Sequence, residues 1–318
     1  TGALPPADLG TKNYVFRGVI STPTDGTSNL RLGVNAGDAI ESGGNYNVVI
    51  GDEAGTALTT GDNNIAIGFE ALKTEDANGN NVAVGYQALK TLNAGTDAGN
   101  TAVGHLAGTS ITTGDQNTIM GAFAGDALTN ADKNVAIGRS ALTSDTLGSK
   151  STALGYSALD AQNFTTATDS HNTAVGHLAG TSVTTGTHNT LIGSQAGDAI
   201  TTGNNNVAIG YEAMTSNTLS DVNIALGNFA LSNLNHTTTT DAYNVAIGHT
   251  AGGNITTGIQ NTLIGGLAGD ALTDADSNVA VGYSALTSDT KGGRNVAIGQ
   301  FALNNQNFTT TTNSYNVG

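Results

Sequence analysis

Cysteine and tryptophan are absent from the 318 residues, and proline occurs only three times. Without thiols there is no disulfide frame and no thiolate metal site. Pro5, Pro6 and Pro23 all precede residue 29, so every later backbone N–H is free to enter a ladder. Basic side chains are scarce too: ten Lys and Arg stand against twenty-five Asp and Glu, for a net charge of −15. None lies between Lys150 and Lys291. A nucleic-acid surface needs a basic stripe, so that partner is excluded. The acidity reads as solubility and mutual repulsion between particles. No apolar run approaches the ~18 residues of a membrane span, so no membrane insertion is expected. The sequence begins at Thr1 with no visible signal peptide, as a processed chain or a fragment would.

What is abundant is glycine, 44 residues, and it recurs in a pattern. The string Asn-apolar-small-apolar-Gly-x-x-Ala occurs sixteen times, with its glycine at positions from Gly33 to Gly299 and Ala always three residues later. Most spacings are 17 residues. From Gly104 the spacings run 17, 17, 17, 21 and repeat, giving a 72-residue unit of four coils. The residue after the invariant Ala follows the same cycle: Gly108, Gly125, Leu142, Leu159, then Gly180, Gly197, Met214, Leu231. Self-similarity of this kind specifies a solenoid. The expected fold is therefore all-β: a parallel β-roll of about sixteen 17-residue coils, spanning residues 29–318 and continuing beyond Gly318. Residues 1–28 differ in composition and read as an N-terminal connector.

Within each coil the alternation places two large aliphatics, such as Val135 and Ile137, on one face. The expectation is that these point into the coil and that the residue between them points out. That intervening residue is apolar in fifteen coils. It is Val49, then Ala66, Ala83, Ala102, Ile119, Ala136, Ala153, Ala174, Leu191, Ala208, Ala225, Ala246, Leu263, Ala280 and Ala297, with Arg31 at the start. Strands apolar on both faces are covered on both faces. With no helical segment to supply the second cover, the stripe from Ala66 to Ala297 is expected to be an oligomer interface, and three is the natural number of subunits around a fibre axis. The opening Asn, present in fifteen coils with Ser151 as the exception, is expected to form an amide ladder.

Asn-Val-Ala-Ile-Gly-x-x-Ala resembles the repeat of trimeric autotransporter adhesin heads of the YadA type. The Asn100–Gly104 and Asn172–Gly176 openings look like those of bacteriophage tail-fibre proteins. The resemblance covers residues 29–303. It implies a left-handed parallel β-roll, a homotrimer, and a place on a virion or a cell surface. An adhesin would be expected to carry a neck, a coiled-coil stalk and a membrane anchor; a fibre shaft fits residues 1–318 better.

Candidate chemistry is sparse. His105, His177 and His249 follow the motif glycine 72 residues apart, roughly 19 Å along one chain, too far to share a metal. Asp126, Asp198 and Asp270 lack the close Gly-Gly-x-Gly-x-Asp spacing of a calcium roll and read as turn formers. A hexapeptide acyltransferase helix would need 18 residues per coil. Glycan-cleaving carboxylate pairs with aromatic platforms are not apparent. No enzyme activity, cofactor or metal site is expected. Ice binding would need a Thr on every coil, which the sequence does not supply. The long turns 161–172, 232–244 and 304–316 remain as receptor contacts, through Phe164, His236, Tyr243, Phe308 and Tyr315. The functional expectation is a non-enzymatic virion tail-fibre shaft or receptor-binding appendage. Its partners would be itself, other tail proteins and a host receptor or glycan. The alternative is a bacterial surface adhesin head.

Overall fold

The computed structural model describes residues 25–318, so the three prolines and nearly all of the expected connector lie outside the described residues. The described residues are all-β, with no helix. Sixteen three-residue strands, from Leu30–Leu32 to Val296–Ile298, form one parallel sheet in strict sequence order. Register never slips: Ala136 pairs with Ala153, and Ala153 with Ala174, although 17 residues separate the first pair and 21 the second. The four extra residues in each long turn are absorbed locally. Thr168–Asp169 folds back on Gly148–Ser149, Thr240–Asp241 on Ser220–Asp221, and Thr312–Asn313 on Gly292–Gly293, each as a small parallel pair.

The strands face the opposite way from the sequence expectation. The central residue of every three-residue strand after the first, whether Ala136, Ala208 or Ile119, is completely buried inside the single chain, while Arg31 in the first strand is half-buried. The flanking aliphatics lie outward, with Met120, Leu154, Ile224 and Leu226 each about 40% exposed. The interface assigned to Ala66, Ala83, Ala102, Ile119, Ala136, Ala153, Ala174, Leu191, Ala208, Ala225, Ala246, Leu263, Ala280 and Ala297 is thus corrected: all fourteen are core. The cause is the width of the coil. Two walls of backbone close over a thin interior, and a methyl group is the side chain that fits most rungs.

Space in that interior is shared between coils. Where the strand carries Ile119, the two neighbouring corner residues are Gly108 and Gly125. A Cβ on either would sit 3.1–3.2 Å from Ile119 Cδ1. Where the strand carries Ala136 or Ala153, the corner carries the fully buried Leu142 or Leu159. Leu191 with Gly180 and Gly197, and Leu263 with Gly252 and Gly269, repeat the exchange. Interiors pack near crystal density and tolerate neither voids nor overlap. The 72-residue period is therefore a period of core volume.

Two polar columns hold the coils in step. The Asn64 N–H donates to Asn47 Oδ1 (2.8 Å), while Asn47 Nδ2 donates to the Gly61 carbonyl (2.8 Å). The pattern recurs up the roll, as in Asn134 and Asn189. Ser151 interrupts it, and Gln162 splices the gap. Gln162 Nε2 donates to Ser151 Oγ (2.8 Å), and its Oε1 accepts from Asn172 Nδ2 (2.9 Å). The motif glycines form the second column, each at positive φ between 124° and 147°. A Cβ on Gly138 would lie 2.2 Å from the Gly155 carbonyl oxygen in the next coil, so no other residue fits.

Candidate functional site

Chemistry at a site begins with which groups reach solvent, and the turned-out aliphatics are the first. The residue before every motif glycine is large and apolar, from Leu32 through Ile209 to Ile298. The residue two earlier is Val, Ile, Leu or Thr. Sixteen rungs at about 4.8 Å make this face roughly 70 Å long. Contiguous apolar patches of that extent are rare on monomeric proteins. Beside Tyr243 the face dips into a hollow of about 330 Å³, floored by Val207, Val222, Ile224 and Val245.

Rings form a column along one margin of this face. Phe69 stacks on Tyr86 (5.5 Å), Tyr86 on His105 (5.1 Å), and His105 meets Phe123 edge-on (5.2 Å). Arg139 bridges Phe123 and Tyr156, and Tyr156 stacks on His177. His249 lies edge-on to Phe229, which in turn meets Tyr211. The histidines singled out by their spacing are thus ring-column members. In the stacked pairs the ring faces cover one another and only edges meet solvent, which suits axial cohesion better than stacking a ligand. Among the described residues, no three His, Asp or Glu side chains are grouped as a metal ion would require. Asp126, Asp198 and Asp270 accept hydrogen bonds from Thr143, Thr215 and Thr287 one coil on, as turn-holding groups.

The long turns divide the five expected receptor contacts. Phe164 and His236 are 5% and 7% exposed, and both plug the turn that carries them. The Phe164 N–H donates to Asp145 Oδ1 (3.1 Å). His236 Nε2 lies 3.0 Å from the Thr257 carbonyl, which can only accept, so Nε2 carries the proton and Nδ1 accepts from the Ser220 hydroxyl (2.7 Å). These two residues are structural, a correction that the aromatic character of the turns concealed. Phe308 is half-buried in the equivalent place. Tyr243 and Tyr315, at 52% and 62% exposure, are the residues that protrude. Tyr243 Oη donates to Asp241 Oδ2 (3.2 Å), and Arg294 lies over the Tyr315 ring.

No protein-family model matches the chain, and no curated protein sequence matches it.

Two carboxylates, Glu70 and Asp145, are strongly perturbed by their surroundings. Glu70 accepts from Lys73 Nζ and Gln87 Nε2 and pairs with Lys90, all within 2.7 Å. The hydrogen bonds from Lys73 and Lys90 hold its carboxyl down at about 2. Asp145 is the reverse case: it is fully buried, and burial raises its pKa above the ordinary carboxylate value. Its partners are the Gly148 and Phe164 amides and Gln162 Nε2, all neutral. Both groups are explained by coil-to-coil cohesion. Neither is placed as a general acid or base beside a substrate cavity.

Proposed function

We infer that this chain is a structural, non-enzymatic rod, a virion tail-fibre shaft or receptor-binding appendage that carries host-contact surfaces away from the particle. The observation that carries this reading is the outward aliphatic face. Sixteen unbroken rungs of Val, Ile, Leu and Met, such as Ile192, Ile209 and Leu226, lie on the outer side of a sheet whose inner side is already filled.

A face roughly 70 Å long and about 10 Å wide offers on the order of the 800 Å² per partner that stable protein interfaces bury. It repeats without a charged rung over the whole sheet. A partner with the same 4.8 Å repeat meets it rung for rung, and a sister chain has that repeat. Around a common axis, three such chains form a homotrimer with the aliphatic faces inward and Tyr243 at the rim of the interface. The second reading, a bacterial surface adhesin head, uses the same rod and the same Tyr243 and Tyr315 projections. Either way the location is a virion or a cell surface, and avidity would come from repeated weak contacts.

Sedimentation equilibrium of the purified chain tests the assembly. The expected result is a trimer that dissociates when Ile192, Ile209 and Leu226 are replaced together by Asp. A well-folded monomer at micromolar concentration ends the reading. Immunogold imaging of intact particles and of bacterial cells separates the fibre from the adhesin.

A further inference from the structure

The far side of the core from the strands carries two outward ranks, on either side of inward residues such as Leu128 and Ile200. The preceding rank is small, reading Ser110, Ala127, Ser144, Ala161, Ser182 and Ala199 through one four-coil unit and into the next. The following rank reads Thr129, Thr146, Asn163, Thr184, Thr201 and Thr218. From Asn93 to Asn307 that following rank holds no charged residue, in a chain of net charge −15. Its threonines are fixed by donating to the carbonyl one coil on, as Thr201 does to Thr218 (3.0 Å).

Internal duplication supplies a built-in comparison. Asp160-Ala161 and Thr181-Ser182 become Ser232-Asn233 and Gly253-Asn254 one unit later. Four changes on two adjacent coils remove a carboxylate and a branched side chain and add two amides. At this place the surface forms a groove of about 770 Å³, lined by Ser216, Asn233, Asn235, Asn254, Thr256 and Thr273 among others. Asn233 Nδ2 donates to the Gly253 carbonyl (2.8 Å) and to Asn254 Oδ1 (3.3 Å), and Asn254 Nδ2 donates to the Asp270 carbonyl (2.8 Å), so both amides are fixed from one coil to the next. Asn235 is exposed and its Oδ1 accepts from Thr218 Oγ1 (2.8 Å), an arrangement that leaves its amide nitrogen as a donor. The groove therefore presents carbonyl and hydroxyl oxygens as acceptors and the Asn235 amide and the Ser216 hydroxyl as donors, with no charge among its lining residues.

Resting on the attachment reading above, we propose that this groove binds a neutral oligosaccharide lying along the rod. Closely spaced acceptors and donors match sugar hydroxyls, each of which both donates and accepts. The volume lies within the range of ligand sites, and the lining spans four coil steps, roughly 19 Å, the reach of a short oligosaccharide. Acidic glycans are disfavoured because the groove offers no cation against the field of the chain. A peptide would leave its apolar side chains over Asn and Thr.

The test is binding of the whole chain to an array of neutral glucose, galactose, mannose and N-acetylglucosamine oligomers beside sialylated and uronate-containing ones. The variant Asn233→Ala/Asn254→Ser takes the residues found at Ala161 and Ser182, positions the fold already accommodates. Retention of neutral oligomers by the parent, and a tenfold or greater loss in the variant, supports the site. Equal binding by both proteins, binding confined to acidic oligomers, capture of peptides alone, or no binding overturns it. Attachment of the labelled rod to cells, with and without periodate oxidation of surface glycans, separates the two claims. Attachment that periodate does not alter removes the groove and leaves the appendage; absence of any attachment removes the appendage whatever the array shows.

Discussion

Ile119 and Gly125 occupy one volume between them: a Cβ added to Gly125 would lie 3.2 Å from Ile119 Cδ1 and 2.8 Å from Leu128 Cδ1. Gly125→Leu alone is therefore expected to destabilise the rod by about 1–3 kcal/mol through overpacking. Ile119→Ala alone leaves a cavity and costs about 2–5 kcal/mol. The pair together reproduces the Ala136 and Leu142 arrangement of the next coil and is expected to recover most of the loss. Urea midpoints of the four proteins measure the coupling, and simple additivity would refute the shared-volume account.

A second expectation concerns the amide column. Asn134 Oδ1 accepts from the Ser151 N–H (2.8 Å), and its Nδ2 donates to the Gly148 carbonyl (2.9 Å). Asn134→Ala leaves both buried partners unpaired, at about 1–3 kcal/mol each. Hydrogen exchange should quicken at the Ser151 amide first. Unchanged protection there would show that the ladder is incidental.

The glycine column gives a sharper contrast. Gly138→Ala forces a Cβ to within 2.2 Å of a backbone oxygen, and the expected loss exceeds about 4 kcal/mol, enough to split the rod locally. Gly95 also has positive φ but meets nothing within 4 Å, so Gly95→Asn is expected to change the melting temperature little. Limited proteolysis should cut the first variant near residue 138 and leave the second intact.

The buried carboxylate of Asp145 predicts a pH signature. Burial raises its pKa in the folded chain, so folding favours the protonated form. Stability from this group is full below about pH 4 and falls as the pH rises through its folded value. Glu70 acts in the opposite sense: its value of about 2 means that its ion pairs contribute above roughly pH 4.5 and fade toward pH 2. The triple change Asp145→Asn, Ser151→Asn, Gln162→Leu copies Asn217, Asn223 and Leu234 from the following unit. Its stability relative to the parent should be flat below about pH 4 and then rise by about 1.4 kcal/mol per unit of pKa shift. Thermal melts from pH 3 to 8 check this, and parallel curves for the two proteins would contradict it.

The repeat, its parallel stacking and the Asn column were legible because each leaves a sequence period, and a period survives without knowledge of direction. Direction was not. Alternation in Asn134-Val135-Ala136-Ile137 distinguishes two faces but does not say which is inside, because larger side chains face inward only where the core is wide enough to hold them. The informative signal was one step away. Corner residues 125 and 142 switch between Gly and Leu as strand residues 119 and 136 switch between Ile and Ala, and only groups sharing an interior need such compensation. Phe164 and His236 misled for a related reason. A long turn that folds back on the preceding coil makes a small core of its own, and sequence alone does not mark it. The Asn233 and Asn254 pair was visible as a departure from its own duplicate, yet its meaning required knowing that both residues stand on one flat side.

The alternation of bulky and empty corners also limits how the molecule can change in length. Excising the turn that carries Gly180 would bring Leu159 against Leu191, and excising the turn that carries Leu191 would leave the empty Gly180 corner between Ala174 and Ala208. Removing or adding a whole block of seventy-two residues restores every neighbour relation. Variants of this rod should accordingly differ in extension by steps of roughly 19 Å, a gauge inscribed in its interior rather than on its exterior.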